Sequence, residues 1–204
     1  MHPDIQAFID TLNTATIASE RYAHLDAIVN YLSAKVKSNQ PIIFNAICTH
    51  NSRRSQFSQV WADVFARVNG INTDVRSGGV EVTACNFRVI YTLRNLGFKI
   101  DNPGMDNPKM EAHLGDGKDP ILLYSKLYDD QISAGDKMLA VMVCGHADEN
   151  CPVIPSADAR LPLRYVDPKV SDDSLEELET YLERCRQIAT EMQYIFRTVA
   201  DQNV

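Results

Sequence analysis

Apolar positions along the chain follow two different rhythms. Ile5, Phe8, Ile9 and Leu12 recur at helical spacing, and Leu25, Ile28, Val29, Leu32 and Val36 form a second stripe, so the first forty residues are predicted helical. Residues 42–47, IIFNAI, are instead a short, nearly continuous apolar run, the mark of a buried strand. Helical spacing returns with Phe57, Val60, Trp61, Val64, Phe65 and Val68, until Asn69-Gly70 stops it. A short strand near Asn72–Arg76 leads into Ser77-Gly78-Gly79, and a helix from about Asn86 to Leu96 ends at Gly97. Residues 102–119 are rich in Pro, Gly, Asn and Asp and read as an excursion before the strand-like ILLYSKLY. Lys137–Val143 is another apolar strand, and a further short segment lies near Arg164–Val166. Across residues 172–199, Leu175, Leu178, Leu182, Cys185, Ile188, Met192, Ile195 and Val199 share one face of a long helix. Strands alternating with helices predict an α/β fold with a parallel sheet. The expected organisation is a helical extension over residues 1–40 packed on an α/β domain spanning 41–204.

Composition narrows the class. With 204 residues, 45% hydrophobic and 23% charged, the chain can bury a sizeable core and has no fibrous or disordered bias. A net charge of -7 without a basic stripe argues against a general nucleic-acid binder, so any bound anion must be held locally. No apolar run reaches the roughly 20 residues that span a bilayer, and MHPDIQAFID lacks a signal peptide's basic flank and apolar segment, so a cytoplasmic protein is expected. Five cysteines, Cys48, Cys85, Cys144, Cys151 and Cys185, then suggest reduced thiols and not a disulfide framework.

The chemistry concentrates at the first strand-to-helix joint, where Cys48-Thr49-His50-Asn51-Ser52-Arg53-Arg54-Ser55 separates Cys48 from Arg54 by five residues. A loop of this length can curl so that the N–H groups of residues 49–54 point inward at the start of the next helix, making a nest for a tetrahedral oxyanion. The same positive surroundings favour the thiolate of Cys48 as nucleophile. Arg54 can grip two oxygens bidentately, and Ser55 can hydrogen-bond the thiolate. Asp167, in RYVDPK, is the candidate acid, with Pro168 stiffening its loop. Taken singly, a cysteine ending a strand is a small core hydrophobe and an Asp before Pro a turn residue. It is their combination at the carboxyl end of a strand, where α/β sheets place ligands, that points to function.

These residues resemble the low-molecular-weight phosphotyrosine phosphatase family, and more closely its thioredoxin-coupled arsenate reductase branch. Cys48 to Ser55 match the family's C-x5-R-S loop, Asn51 falls at the asparagine that shapes it, and Ser77-Gly78-Gly79 is similar to its Ser-Ala-Gly stretch. VMVCGHADENCP, residues 141–152, and YVDP, residues 165–168, are similar to the reductase segment in which two further cysteines precede an Asp-Pro. The resemblance covers about residues 41–170. It implies a three-layer sandwich with a central, mainly parallel four-stranded sheet flanked by helices. It also implies a relay in which Cys48 attacks arsenate, Cys144 attacks Cys48 and Cys151 attacks Cys144, with external thioredoxin as reductant and no tightly bound cofactor. Cys85 and Cys185 are expected in core or neutral roles.

Some positions depart from the family. His50 stands where glycine is common, Arg53 where many members have another cysteine, and Gln59 where some reductases have an acidic residue of a cation site; Lys169-Val170 replaces the tyrosines that wall a phosphotyrosine pocket. The alternative to arsenate reduction is phosphomonoester hydrolysis through a Cys48 phosphocysteine, which needs only Cys48, Arg54, Ser55 and Asp167 and would make a phosphoprotein a substrate. A non-catalytic oxyanion sensor is a third reading. A zinc site on Cys144, His146 and Cys151 lacks a fourth ligand and the usual short Cys-Cys spacing, so no metal is expected.

Overall fold

Ile43–Cys48 (β1) is buried at every position, and it lies inside a sheet that covers it on both edges. The computed structural model describes residues 1–101, 103–150 and 153–203, with Asn150 described by its backbone alone. Asp74–Gly79 (β2), Met138–Met142 (β6) and Ala157–Pro162 (β7) complete a parallel four-stranded sheet in the order β2-β1-β6-β7. Lys99–Ile100 (β3), Met110–His113 (β4) and Ile121–Leu123 (β5) form a second, antiparallel sheet. The helices are Pro3–Asp10 (α1), Tyr22–Lys37 (α2), Arg54–Val68 (α3), Phe87–Asn95 (α4), Gly145–Asn150 (α5) and Glu177–Asp201 (α6). None among the described residues is long and apolar enough to cross a membrane.

The predicted α/β architecture with a parallel four-stranded sheet flanked by helices is the one observed. The stops fall where the turn chemistry put them. Gly70 and Gly97 take positive φ just beyond α3 and α4, and Asn86 caps α4 by accepting the Arg88 amide at 2.9 Å. Trp61 of α3 is fully buried, its ring 5.1 Å from Phe8 of α1 and 5.7 Å from Phe98, while its indole N–H donates to Cys185 of α6 at 3.1 Å. The N-terminal helices therefore pack into the core: Ile5, Leu25, Ile28 and Leu32 are all fully buried.

Four local expectations need correction. The last helix starts at Glu177 and not near residue 172, because Asp173 adopts a left-handed φ of +64° and breaks the turn; Leu175, placed on its buried face by spacing, is wholly exposed. The strand at ILLYSKLY ends at Leu123. The excursion over 102–119 contains β4, whose alternating burial runs Met110 and Ala112 inward. The strand expected near Arg164–Val166 lies earlier, as β7, which α5 precedes.

The sheet sets the site. Register pairs Ile47 with Met142, and the Val143 amide continues the ladder onto the Ile47 carbonyl at 2.9 Å, so Cys48 and Cys144 emerge from the same end of adjacent strands. Beyond β7, the Tyr165 amide bonds the Val143 carbonyl at 3.1 Å, which carries the chain toward Asp167 at that same end.

Candidate active site

Cys48 closes β1 and Arg54 opens α3, and the five residues between them bend around Asn51. Asn51 has φ +46°, a left-handed conformation that asparagine tolerates better than most residues. Three bonds hold it. Its side-chain oxygen accepts the Lys126 amide at 3.2 Å, its carbonyl accepts Gln56 Nε2 at 2.7 Å, and its Nδ2 donates to Ser55 Oγ at 2.8 Å. That last bond orients Ser55. With Nδ2 able only to donate, the hydroxyl proton of Ser55 is left for Cys48 Sγ, 3.1 Å away, where it stabilises a thiolate.

Ser77-Gly78-Gly79 braces the loop from β2. The Val80 and Glu81 amides donate to the Thr49 carbonyl at 2.8 and 2.9 Å, and a Cβ on Gly79 would meet Thr49 O at 2.7 Å and Asn51 N at 2.8 Å. A Cβ on Gly78 would collide with the backbone of Tyr128. Glycine is needed here for close approach.

Arg54 and Asp167 meet across the loop. Arg54 Nη2 donates to Asp167 Oδ2 at 2.5 Å and Nη1 to the Tyr165 carbonyl at 3.0 Å, while its Nε is buried without a hydrogen-bond partner among the described residues. Asp167 Oδ1 accepts the Lys169 amide at 3.1 Å and so caps the turn Pro168–Ser171. Arg53 is different. Its guanidinium is taken by Tyr181 Oη at 2.6 Å and Asp172 Oδ2 at 2.8 Å, which leaves its backbone N–H, not its side chain, for an oxyanion. His50 points to the surface beside Glu81, 3.3 Å away, and Ser52 gives its carbonyl to the Asn86 amide at 3.0 Å. A cleft of about 540 Å³ opens beside the loop between His50, Ser52, Phe87, Met105 and Lys169.

Cys144 is buried against the loop, its Sγ 3.5 Å from Thr49 Oγ1 and accepting the Ala147 amide at 3.3 Å. Cys151, the third predicted cysteine, lies outside the described residues. Burial pushes the thiols of Cys85 and Cys185 up to about 12, which keeps both protonated and inert.

Two contributors escaped the sequence pattern. Lys126 is 2% exposed, with Nζ 3.2 Å from Ser77 Oγ, 3.3 Å from the Tyr124 carbonyl and 4.4 Å from the Tyr124 ring centroid, and burial pulls its ammonium down to about 8. Ser77 Oγ in turn donates to Gln59 Oε1 at 2.5 Å, so an ammonium lies next to Gln59. A lone lysine inside an apolar run was the available signal. Behind Asp167, Tyr165 Oη donates to buried Glu191 at 2.8 Å, and Arg21 grips the same carboxylate at 2.9 and 2.8 Å while donating to the Arg164 carbonyl at 2.8 Å. Among the described residues no three His, Cys, Asp or Glu side chains are grouped to hold a metal ion.

A cysteine closing a parallel strand, a five-residue turn bent at Asn51 and an arginine opening the next helix make an arrangement that can hold an oxyanion beside a thiol. No protein-family model matches the chain. The arsenate reductase of Halalkalibacterium halodurans is 26% identical over 148 residues, 72% of this chain and 88% of that protein. Arsenate reductase 2 of Staphylococcus epidermidis is 28% identical over 122 residues, 60% of this chain and 75% of the relative. A solved low-molecular-weight phosphotyrosine phosphatase from Vibrio cholerae O395 shares the fold, with a TM-score of 0.50 at 14% identity over 76% of this chain and 93% of that one. The sequence is thus similar to arsenate reductases, and the fold is the one seen in low-molecular-weight phosphotyrosine phosphatases. The likeness is to enzymes of that type.

Proposed function

We propose that the protein reduces arsenate through Cys48, Cys144 and Cys151, with thioredoxin as the terminal reductant. The observation that carries this reading is the buried second thiol, Cys144, set against the oxyanion loop through Thr49 at 3.5 Å. The amides of residues 49–54 and the Arg54 guanidinium hold the arsenate. Cys48 thiolate, steadied by Ser55, displaces the hydroxyl group of hydrogen arsenate, which leaves as water on taking a proton from Asp167. Cys144 thiolate then attacks Cys48 Sγ. The S–S bond forms as the S–As bond breaks, its electron pair stays on arsenic, and arsenite leaves. Cys151 attacks Cys144 Sγ, freeing Cys48, and two electrons from thioredoxin reduce the resulting disulfide. Arsenate reductases among the curated relatives support the substrate.

Phosphomonoester hydrolysis is the second reading, favoured by the Arg54–Asp167 pair alone. Here Asp167 protonates the leaving alcohol and water, not Cys144, resolves a phosphocysteine. The two are separated by arsenate-dependent NADPH oxidation with thioredoxin and thioredoxin reductase, beside aryl phosphate hydrolysis. Reduction requires that Cys48→Ser, Cys144→Ser and Cys151→Ser each stop arsenate turnover. Loss in Cys48→Ser alone, with hydrolysis retained by the other two, assigns the phosphatase.

A further inference from the structure

The relay asks Cys144 to attack as a thiolate, yet the residue is only 1% exposed, so its proton needs a hydrogen-bonded route outward. Thr49 supplies the missing link. Its hydroxyl stands 3.5 Å from Cys144 Sγ on one side and 3.2 Å from His146 Nδ1 on the other. A hydroxyl donates one hydrogen while accepting another, so the thiol proton can pass to Thr49 Oγ1 as the hydroxyl proton passes to Nδ1. His146 itself is exposed at the surface. The Ala147 amide, 3.3 Å from Cys144 Sγ, remains to stabilise the thiolate once the proton has gone.

We infer that His146 is the proton acceptor for Cys144, acting through the Thr49 hydroxyl, and that this path makes the buried thiol competent to resolve Cys48. The inference rests on the proposed attack of Cys144 on Cys48. The balance is simple. One proton leaves Sγ and one arrives at Nδ1, with Thr49 unchanged; the thiolate then attacks Cys48 Sγ, forming the S–S bond and expelling the group that sulfur carries. His146 and Cys144 belong to one short stretch, 144–146, so base and thiol keep their spacing if this stretch shifts toward Cys48. Thr49 directly follows Cys48 in sequence, and its hydroxyl lies 3.5 Å from Cys144 Sγ. This gives His146 a role that neither oxyanion binding nor hydrolysis asks of it.

The test needs no arsenate. Hydrogen peroxide converts Cys48 thiolate to a sulfenic acid with loss of hydroxide, and attack by Cys144 thiolate expels a second hydroxide and closes the Cys48–Cys144 disulfide. In a Cys151→Ser background the bond cannot be passed on, and quenched samples report its rate by peptide mass spectrometry. His146→Gln and Thr49→Val should close roughly 100-fold more slowly, the size of a lost general-base contribution. Thr49→Ser, which keeps the hydroxyl, should close faster than Thr49→Val, and free imidazole should restore closure in His146→Ala in proportion to its concentration. Imidazole rescue is a readout that a merely structural role of His146 would not give. Closure in His146→Gln at the wild-type rate overturns this inference and leaves the relay standing. Failure of the parent protein to form the Cys48–Cys144 bond overturns the relay and this inference together.

Discussion

Gly79 is where the oxyanion loop is most sensitive to a single atom, because a Cβ there meets Thr49 O and Asn51 N, both backbone atoms that cannot swing aside. Gly79→Ala should therefore weaken binding of inorganic phosphate at least tenfold while the far sheet edge is untouched; calorimetric titration of phosphate checks this, and wild-type affinity would contradict it. Lys126 makes a prediction in pH. Burial lowers its ammonium from 10.5 to about 8, so the folded state bears the cost of the charge below pH 8. Between about pH 8 and 10.5 the unfolded chain still binds the proton and the folded one does not, so this cost is relieved as pH rises. Lys126→Met removes the group. The unfolding free energy of the variant minus that of wild type should fall across this window, by on the order of 3 kcal/mol at most; denaturant titrations giving a pH-independent difference would contradict it. The contiguous residues Cys48 to Ser55 were legible from sequence because their spacing is the chemistry. The partners of Arg53 were not: Asp172 and Tyr181 lie 119 and 128 positions away, and nothing local announces them.

Between elements, the N-terminal helices and α6 meet through a buried ion pair directly behind the Asp167 loop. Arg21 holds Glu191 with two hydrogen bonds, its guanidinium lies 5.0 Å over the Tyr165 ring, and the Tyr165 carbonyl in turn receives Arg54. Removing the arginine alone leaves a 2%-exposed carboxylate unpaired. Arg21→Ala should cost about 3–5 kcal/mol of stability by chemical denaturation, and adding Glu191→Gln should recover a large part, since the uncompensated charge is then gone. A double variant no more stable than the single one would contradict this. The stripes of α2, α3 and α6 were readable because burial repeats at helical spacing. The start of α6 was not, since Leu175 and Leu178 keep that spacing while Asp173 turns left-handed ahead of the helix. The alternation of Met110 and Ala112 in β4 was present in the sequence, but it was masked by the surrounding Pro, Gly, Asn and Asp.

At the scale of the whole molecule, an acidic chain of net charge -7 has its proposed anion site at one end of one sheet. Three strand ends deliver the parts: β1 brings Cys48, β6 leads to Cys144, and the chain beyond β7 brings Asp167. A parallel sheet was legible in the alternation of patterns, but the order β2-β1-β6-β7 was not, because apolar strands of similar composition carry no label for their neighbours. It is this order that puts two cysteines 96 positions apart in sequence against one loop. What resolves the proposed Cys48 intermediate, Cys144 or water, separates reduction from hydrolysis. Cys151→Ser protein, incubated with arsenate without reductant and quenched in acid, should contain a Cys48–Cys144 disulfide by mass spectrometry, with one arsenite released per disulfide. Arsenate left unreduced, with both thiols free and aryl phosphate hydrolysis intact, would contradict the relay and make water the resolving nucleophile.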